Sequence, residues 1–474
     1  MSRTSTEANA GGEMKKSIYS LHRQVPGGIA GLILFASLGI AIAFFPAAPV
    51  HAQTAVRPAG GGTTGDPFQI DSLANLYWIT QNPNTWDSVF VQTADIDASS
   101  DSSWASGQGF TPIGNNSSAF WGMYDGGGHT ISGLYINRGS TDYVAMFGEV
   151  QNGLNSFEVS NVNLTNVRIT GGTTVGGLIG YILDAGPVSN CSVSGTVSGS
   201  GTVGGLVASL YGTVLSESYS TATINFSTGT GGGLVGLCWG SASIRKCYST
   251  GSVNGAQNTG GLVGSLSTSG NVSNSYTTGS VAGSSEVGGL VGYMEYASSI
   301  NNSFSTGSVS GTSSVGGMVG YVNQYTSAST ATASFWNTQT SGQSSSALGT
   351  GATTAQMTAD STYTAVGWDF SGTWAVEATV NNGYPGLVWQ SAYAASAPTA
   401  VTDSSTNVKQ TTATVYGTVA AHKGVTTVQF IYGTVSGTYP DTLAATTSPL
   451  RAGAIRRSLQ ISRTCTLPRR TISG

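Results

Sequence analysis

The apolar residues between positions 175 and 321 recur at a constant interval of 28 residues. Six times in this stretch a Gly-Gly pair is followed by an apolar residue. These apolar residues are Leu178, Leu206, Leu234, Leu262, Leu290 and Met318. A fixed period of this size is typical of an array in which each unit buries its apolar face only against its neighbours. The pattern therefore predicts a stack of repeated structural units.

Other positions keep the same 28-residue register. Apolar residues recur four, ten and nineteen places after the first one, Asn twelve places after it, Tyr or Phe fourteen and Gly seventeen. The last three sets are Asn190, Asn274 and Asn302; Tyr248, Tyr276 and Phe304; and Gly195, Gly251, Gly279 and Gly307. Short apolar and β-branched runs between Gly, Ser, Thr and Asn are typical of strands and turns.

This register predicts an all-β protein, a right-handed parallel β-helix of about seven or more coils with a 28-residue repeat and a cap at both ends. We expect the Leu, Val and Tyr columns to form the core and the Asn column to form an amide ladder. We expect the glycine column to occupy a corner with positive φ. Whether Leu or the Val after it faces the core stays open, because both are apolar.

The phrase Gly-Leu-apolar-Gly resembles the GLUG repeat of large bacterial surface and secreted proteins. Ala208 replaces the last glycine of one copy and Met318 replaces Leu in another. The resemblance extends over roughly 60–392 and implies a solenoid with an adhesin-like role, although some relatives are immunoglobulin-A peptidases. The motif residues, which we interpret as structural, are Gly177, Leu178, Gly180, Gly205, Leu206, Gly233, Leu234, Gly236, Gly261, Leu262, Gly264, Gly289, Leu290, Gly292, Gly317, Met318 and Gly320.

The chain before the repeats divides into a signal segment and an N-terminal cap. Residues 1–52 combine a basic flank with the apolar run Ile29 to Phe45 and a small-residue cleavage site, which is typical of a secretory signal; an uncleaved anchor is the alternative. Residues 56–175 are predicted to hold the cap and first coils, with a short helix through Leu73, Leu76 and Ile79 and a strand over 88–94. The run 125–132 is similar to the DGxGHTIS coil that precedes GLUG repeats.

The six repeats occupy 176–333, and the composition changes after them. Residues 334–392 are rich in Trp, Tyr and Phe, which favours a C-terminal cap that closes the core, with a short helix over 353–364; a sugar-binding platform is the alternative. Residues 395–450 resemble part of a fibronectin type III-like β-sandwich module. The basic segment 451–474 is predicted to be a disordered tail, either native or the product of truncation or a frame shift.

Composition excludes several classes of function. Only 8% of the 474 residues are charged and the formal net charge is −4, whereas a nucleic-acid-binding surface needs a basic stripe.

The metal-like run Asp95-x-Asp97-x-Ser99-x-Asp101 lacks the glycine and final acid of a calcium loop. We expect no cofactor, no metal and membrane contact only through the signal segment.

Catalytic groups are sparse along the repeats. Asp184 and Glu295 share nearly the same coil position but lie four coils apart, which is too far for the paired carboxylates of a glycosidase. Asp125 and His129 are close in sequence, and we interpret them as a turn. Cys191 and Cys247 lie two coils apart, beyond disulfide reach, while a Cys238–Cys247 bridge stays possible. The sequence therefore predicts a protein that is not an enzyme.

These observations favour a secreted or cell-surface, adhesin-like protein of a bacterial outer surface, whose partner is extracellular matrix, a glycan or another cell surface. Two alternatives stay open. One is a β-helix enzyme that acts on polysaccharide. The other is an ice- or crystal-binding protein that uses a regular hydroxyl ladder, formed by Thr250, Thr278 and Thr306 with Ser252, Ser280 and Ser308.

Overall fold

The computed structural model describes residues 53–151, 158–324 and 327–390, together with five strands between 399 and 464. The predicted signal segment, 1–52, lies outside the described residues. In the part of the chain that is described, no helix is both long and apolar enough to cross a membrane.

Four parallel sheets form a β-solenoid. Each regular turn contributes one strand to each of sheets I, II and IV, and either one long strand or two short ones to sheet III. Equivalent residues of successive turns lie side by side, so that Val235 pairs with Val263 and Val263 with Val291. The six strands of sheet IV mark about six regular turns. The predicted parallel solenoid with a 28-residue repeat is confirmed.

The strand bounds follow the repeat. Sheet I contains Phe147–Gln151, Ile179–Leu183, Val207–Tyr211, Val235–Trp239, Val263–Leu266, Val291–Glu295 and Val319–Asn323. Sheet II contains Phe68–Ile70, Val89–Gln92, Met123–Asp125, Glu158–Ser160, Val188–Ser189, Val214–Ser216, Ser243–Arg245, Asn271–Ser273, Ser299–Asn301 and Thr330–Thr332.

Sheets III and IV complete each turn. Sheet III contains Ile96–Asp97, Thr130–Ser132, Tyr135–Asn137, Asn163–Thr170, Ser192–Gly199, Tyr219–Ser220, Thr223–Phe226, Tyr248–Ser249, Val253–Asn254, Tyr276–Thr277, Val281–Ala282, Phe304–Ser305, Val309–Ser310, Phe335–Asn337 and Thr350–Ala352. Sheet IV contains Thr174–Gly176, Thr202–Gly204, Gly231–Gly232, Thr259–Gly260, Ser285–Gly288 and Ser313–Gly316.

The corner between sheets IV and I carries the repeated Leu. The backbone N–H groups of Leu262 and Val263 both donate to the carbonyl oxygen of Leu290 in the next turn, at 2.9 and 3.0 Å. The same double donation recurs in the neighbouring turns. Because the chain bends here, the Leu and the residue after it are both fully buried, at 0% exposure. The corner geometry thus answers the question that the sequence left open, since both columns face the core.

The Gly-Gly pair before each Leu is required by close approach. A Cβ on Gly261 would overlap the carbonyl oxygen of Gly289 and lie against the side chain of Thr277, which points inward from sheet III. Gly233 has the same relation to Gly261 and Ser249. The solenoid is therefore too narrow at this corner for any side chain.

Two column predictions need correction. Asn190, Asn274 and Asn302 have φ of 53°, 48° and 48°, and Glu217 and Lys246 occupy the same corner with φ of 47° and 53°. Asn recurs because it tolerates this left-handed backbone better than most residues. The column is therefore explained by the backbone, and Asn274 Oδ1 accepts a hydrogen bond from the indole of Trp374 instead of extending an amide ladder.

Most glycines of the glycine column recur because the backbone of the adjacent turn leaves no room for a Cβ, and not because φ is positive. Gly195 has a φ of 124°, but Gly251, Gly279 and Gly307 lie outside the left-handed region. A Cβ on Gly279 would overlap the carbonyl oxygen of Gly251, and one on Gly307 would overlap that of Gly279. Positive φ was thus the wrong reason for three of these four glycines.

A buried serine ladder, which the sequence analysis missed, supports the corner at the start of sheet III. Ser275 Oγ accepts the N–H of Cys247, Ser303 Oγ accepts that of Ser275, and Ser334 Oγ accepts that of Ser303, at 3.1–3.2 Å. Each hydroxyl also donates to the carbonyl two residues earlier. The ladder satisfies polar groups that burial would otherwise leave unpaired.

The N-terminal cap follows the prediction closely. A helix, Leu73–Gln81, buries Leu76 and Ile79 against the first turns, and a short 3₁₀ turn, Pro83–Thr85, follows it. The predicted strand is present as Val89–Gln92. A longer 3₁₀ segment, Ser99–Gly107, packs beside the first strands of sheet III.

The C-terminal cap differs from the prediction. Only Trp336, of its many aromatic residues, belongs to the solenoid core. Ser346 Oγ accepts the N–H groups of Met318 and Val319, at 3.1 and 2.8 Å, in place of the Leu carbonyl of a further turn. Residues 335–352 therefore close the end of the stack.

Residues 353–390, which we call the strap, run back along the outside of sheet III. They contain the short helices Thr354–Met357 and Asp360–Thr364, the antiparallel pair Trp374–Ala375 and Gly386–Leu387, and a 3₁₀ turn, Asn381–Gly383. The single helix predicted over 353–364 is thus divided into two.

The strap covers the aromatic column, which was expected in the core but faces outward. Tyr219, Tyr248, Tyr276 and Phe304 form a continuous stack with ring centroids 4.8–5.1 Å apart and interplanar angles of 2–5°. They point outward because the next residue of each strand, such as Ser249, points inward at the Gly-Gly corner. The stack and the strap together form a second apolar cluster outside the solenoid core.

Three indoles fix the strap to three different turns. Trp368 Nε1 donates to the carbonyl of Ala333 at 2.9 Å, and Trp389 Nε1 donates to that of Lys246 at 2.9 Å. Trp374 Nε1 reaches Asn274 between them, at 3.3 Å. The strap thus runs back over several turns of the solenoid.

The C-terminal strands pair antiparallel. Thr412–Ala420 lies between Thr399–Thr406 and Arg457–Thr464, and Gln429–Tyr432 pairs with Asp441–Ala444. The strand Arg457–Thr464 lies within the basic segment 451–474, where Leu459 and Ile461 alternate with polar residues, and the expected disorder of that segment stays a prediction. The fibronectin type III-like assignment stays a prediction.

We expect Leu262→Asp to lower the free energy of unfolding by more than about 4 kcal/mol, because it buries an unpaired carboxylate in the core. Leu262→Met is the matched control, since Met318 occupies the same column, and it should cost less than about 1.5 kcal/mol. Chemical denaturation followed by circular dichroism measures both. Equal stability of the two variants would contradict the assigned register.

We expect Trp374→Ala to destabilise the protein by about 3–5 kcal/mol, because its indole is fully buried between the strap and the aromatic stack. Val366→Ala, at a strap residue that is 46% exposed, should change stability by no more than about 0.5 kcal/mol. The same denaturation experiment compares them. An unchanged free energy of unfolding in Trp374→Ala would show that the strap does not stabilise the solenoid.

Candidate functional site

The motif residues predicted to be structural all lie inside the solenoid. Every glycine, Leu and Met of that set is buried. They set the spacing of the turns and present no side chain to a ligand. Any binding site must therefore be formed by the outward-facing columns.

The acidic residues of the metal-like run make separate hydrogen bonds and do not share one site. Asp95 Oδ1 accepts the N–H of Thr130 at 2.8 Å, which, with the adjacent His129, lowers the pKa of Asp95. Asp97 caps the N–H of Ser99, and hydrogen bonds from the side chain and the backbone of Ser99 lower the pKa of Asp97. Among the described residues, no group of three or more His, Cys, Asp or Glu side chains is placed to hold a metal ion.

Asp101, the last acid of this run, has a different environment. Its side chain is fully buried, and both carboxylate oxygens accept the N–H of Tyr135, at 3.2 and 3.0 Å. Burial raises the pKa of Asp101 to about 7, against the opposing effects of that hydrogen bond and of Arg168. The group is a structural anchor for the segment Ser99–Gly107.

Asp125 and His129 do not act on each other. Asp125 Oδ1 accepts the N–H of Gly127 and the amide of Asn161, both at 2.8 Å, whereas His129 Nδ1 contacts Asp95 at 3.3 Å. The interpretation of Asp125 as a turn residue agrees with these contacts.

Asp184 and Glu295 flank sheet I at turns four apart, which is roughly 19 Å at the usual strand spacing. Glu295 is held by its own neighbours, since its carboxylate accepts hydrogen bonds from Ser267 Oγ at 3.1 Å and from the hydroxyl of Tyr293 at 2.8 Å. The two acids cannot act on one substrate bond.

Three cysteines are free thiols. Cys191, Cys238 and Cys247 are buried, and burial raises the pKa of each to about 12. The Cys238–Cys247 bridge that the sequence left possible is not formed. Cys465 lies outside the described residues.

The predicted hydroxyl ladder is not uniformly open. Thr250 is exposed and Thr278 is half-buried, while Thr306 is only 8% exposed. The hydroxyl of Thr340 donates to the carbonyl of Thr306 at 2.6 Å, because the C-terminal cap lies against this turn. The ladder thus ends where the cap begins.

The outer face of sheet I carries a second aromatic set, which the sequence analysis did not separate from the core columns. We call it the sheet I strip, and its aromatic members are Tyr181, Tyr211, Trp239, Tyr293 and Tyr321. These residues point outward because their strand neighbours Ile182, Leu210, Cys238 and Met294 are fully buried. The strip remains partly exposed, and Tyr321 is 40% exposed.

The rings of the strip pair along the solenoid axis. Tyr211 and Trp239 meet edge to face at 4.5 Å, and Tyr293 and Tyr321 stack at 5.9 Å with an angle of 24°. Tyr293 and Tyr321 share a column with Tyr181, Ser209 and Ser265, whereas Tyr211 and Trp239 lie two residues further along their strands. The sequence does contain a signal for these outward-facing rings. Tyr or Trp recurs three or five places after the Leu or Met that follows the Gly-Gly pair.

Polar groups lie beside these rings. Trp239 Nε1 donates to Ser209 Oγ at 3.3 Å, and Asn323 Nδ2 donates to the hydroxyl of Tyr293 at 3.1 Å. The described strands of sheet I contain Glu149 and Glu295 and no Lys or Arg. The face therefore combines apolar rings, hydroxyl and amide groups, and a slight negative charge.

A separate hollow lies beside the N-terminal cap. It has a volume of about 210 Å³ and is lined by Trp86, Asp87 and Trp121, among others. Trp121 is 46% exposed. Asp87 is the one carboxylate of the lining, so the hollow does not contain the pair that acid–base hydrolysis of a glycoside needs.

The comparison with known families agrees with this architecture. The GLUG motif matches residues 171–198 and 283–310, which include turns of the regular repeat. The chain thus carries the GLUG motif in at least these two turns of its parallel β-solenoid.

Two curated proteins are similar to part of the chain. Halomucin of Haloquadratum walsbyi is 42% identical over 152 residues, which are 31% of this chain and 2% of halomucin. A Gly-rich membrane protein of Evansella cellulosilytica is 33% identical over 170 residues, 34% of this chain and 19% of that protein. The chain therefore spans only a small part of the length of both relatives.

Among solved structures, an IgA1 protease chain superimposes with a TM-score of 0.39 and 19% sequence identity. The superposition covers 63% of this chain and 24% of the protease chain.

We expect the stability of the protein to fall as pH rises from about 4 to about 7, because Asp101 keeps its proton in the folded state and loses it in the unfolded state. The stabilisation is complete below the unfolded pKa near 4 and is lost as pH rises through about 7. By linkage it is on the order of 2–4 kcal/mol. Urea unfolding at several pH values measures it.

Asp101→Asn should remove this slope. Asp97→Asn is the matched control, because the lowered pKa of Asp97 affects stability only below about pH 4. An identical slope between pH 4 and 7 in the natural protein and in Asp101→Asn would refute the assignment.

Proposed function

We propose that this chain is an extracellular structural and binding segment of a surface protein, adhesin-like in role. The observation that carries the proposal is the in-register stack of the seven strands of sheet I, from Phe147–Gln151 to Val319–Asn323. A solenoid of this kind holds outward-facing residues at fixed spacing along one axis, which suits a stalk or an extended binding surface.

The composition of the outer faces supports a role outside the cell. Charged side chains are few, and the surface of the repeats consists largely of Ser, Thr, Asn and Gly. Such a surface stays hydrated without a strong electrostatic field, so it does not attract nucleic acid. The apolar run at 29–45, with its basic flank, supports export.

The similar proteins support the same location. One carries the name halomucin and the other is called a Gly-rich membrane protein. From these names, and from the sequence resemblance to GLUG-repeat surface proteins, we infer that this chain is displayed at or released from the cell surface of its source organism.

We further propose that the protein binds and does not catalyse. The support is geometric, since Asp184 and Glu295 lie four turns apart and the buried cysteines have raised pKa values. The ice-binding alternative is weakened because Thr306 is covered by the C-terminal cap.

The test is surface display in cells that express the full chain. We expect protease added to intact cells to digest the protein, or the protein to be recovered from the medium. A variant that lacks residues 29–45 should stay inside and resist the protease.

Protection of the full chain in intact cells would contradict an extracellular role. Turnover of pectin or alginate by the purified chain, abolished by one carboxylate substitution, would contradict the proposal that it is not an enzyme.

A further inference from the structure

We propose that the sheet I strip binds a neutral polysaccharide chain that lies along the solenoid axis. The inference rests on the proposed function and adds the ligand class to it. The rings of the strip lie on strands from Ile179–Leu183 to Val319–Asn323, five strand spacings apart, and therefore extend over roughly 24 Å. A row of this length suits an extended polymer better than a small molecule.

The chemistry of the strip matches that of a sugar ring. A pyranose has an apolar C–H face and a rim of hydroxyl groups. The C–H face packs against the negatively polarised face of an aromatic ring, while the hydroxyls need donors and acceptors close by. Trp239 and Tyr211 supply such rings over two neighbouring turns, and Tyr293 and Tyr321 supply them two turns further on.

The hydrogen-bonding groups lie between and beside these rings. Ser265, small and almost buried, separates Leu237 from Tyr293 in the same column and leaves a low point in the face. Beside it, Ser267 Oγ donates to Glu295, whose other carboxylate oxygen accepts the hydroxyl of Tyr293. This cluster offers acceptors and a hydroxyl network to a sugar positioned against the Tyr293 ring.

Charge decides which polysaccharide fits. The strands of sheet I carry two carboxylates and no basic side chain, so an anionic polymer such as alginate would be repelled and would find no cation to pair with. A neutral polymer meets no such penalty. The charge pattern therefore excludes uronic-acid and sulfated chains and favours neutral ones.

The other aromatic column serves as an internal contrast. The stack from Tyr219 to Phe304 presents similar rings at similar spacing, but the strap covers it. No described segment covers the sheet I strip in the same way, and Tyr321 at its end is 40% exposed. The strap thus covers the aromatic stack of sheet III and stabilises the fold, whereas the sheet I strip stays accessible.

The experiment is co-sedimentation of the purified full chain with microcrystalline cellulose and with chitin, and titration with soluble β-glucan and galactomannan. Alginate is the anionic comparison. We expect retention on at least one neutral polymer and none on alginate. A combined Trp239→Ala and Tyr321→Ser variant should weaken the binding at least tenfold.

Two controls make the result specific. Val366→Ala changes an exposed residue of the strap, which lies outside sheet III, and should leave binding unchanged, and Trp239→Phe keeps an aromatic ring and should retain most of it. Near-ultraviolet circular dichroism checks that each variant is folded; if the double variant is not, Tyr321→Ser alone takes its place with a smaller expected loss.

Absence of binding to every neutral polymer would overturn the inference, as would binding that the strip variants do not weaken or that only alginate shows. Because this experiment uses purified protein, such a failure leaves surface display untouched. Failure of display in cells, with polysaccharide binding intact, would contradict the proposed location alone.

Discussion

The structure depends on the hydrogen bonding at the Gly-Gly-Leu corner. There one Leu carbonyl accepts two backbone N–H groups from the preceding turn, and the approach of the chains leaves no room for a Cβ. Each turn therefore needs a neighbour on both sides to satisfy its polar groups. The two ends must meet the same requirement by other means. A helix, Leu73–Gln81, covers one end, and Ser346 Oγ stands in for the missing carbonyl at the other.

Once this spacing is fixed, every residue of the repeat belongs to a column, and the direction of each column determines its role. Ser and Cys turned inward at the sheet III corner become a hydrogen-bonded ladder, because their neighbours' N–H groups are buried with them. Aromatic residues that point outward fall into two groups. Those on sheet III are sealed by the strap, whose Trp389 reaches back to Lys246. Those on sheet I stay accessible, which makes the two sides of the solenoid chemically different.

The interpretation of individual columns from sequence was less secure than the interpretation of the period. The Leu and Val columns were expected in the core and both are buried, although the sequence did not decide which of the two faces it. The Asn and glycine columns were recognised, but the reasons given for them were wrong. Asn recurs for its left-handed φ, and three of the four glycines recur because a carbonyl of the adjacent turn lies against them. Neither reason is visible before the turns are stacked.

The sequence by itself determined the parallel solenoid, its 28-residue turn, the apolar core columns and the position of the N-terminal helix. These features depend on local periodicity, which a single chain displays directly. The tertiary structure alone decided that the Leu and the residue after it are both buried, because that depends on how the backbone bends at a corner. It also decided that the aromatic column of sheet III is covered and that of sheet I is open. That difference depends on the strap, whose indoles contact residues 35 to 143 positions earlier in the chain, and no periodic pattern encodes its path over the surface.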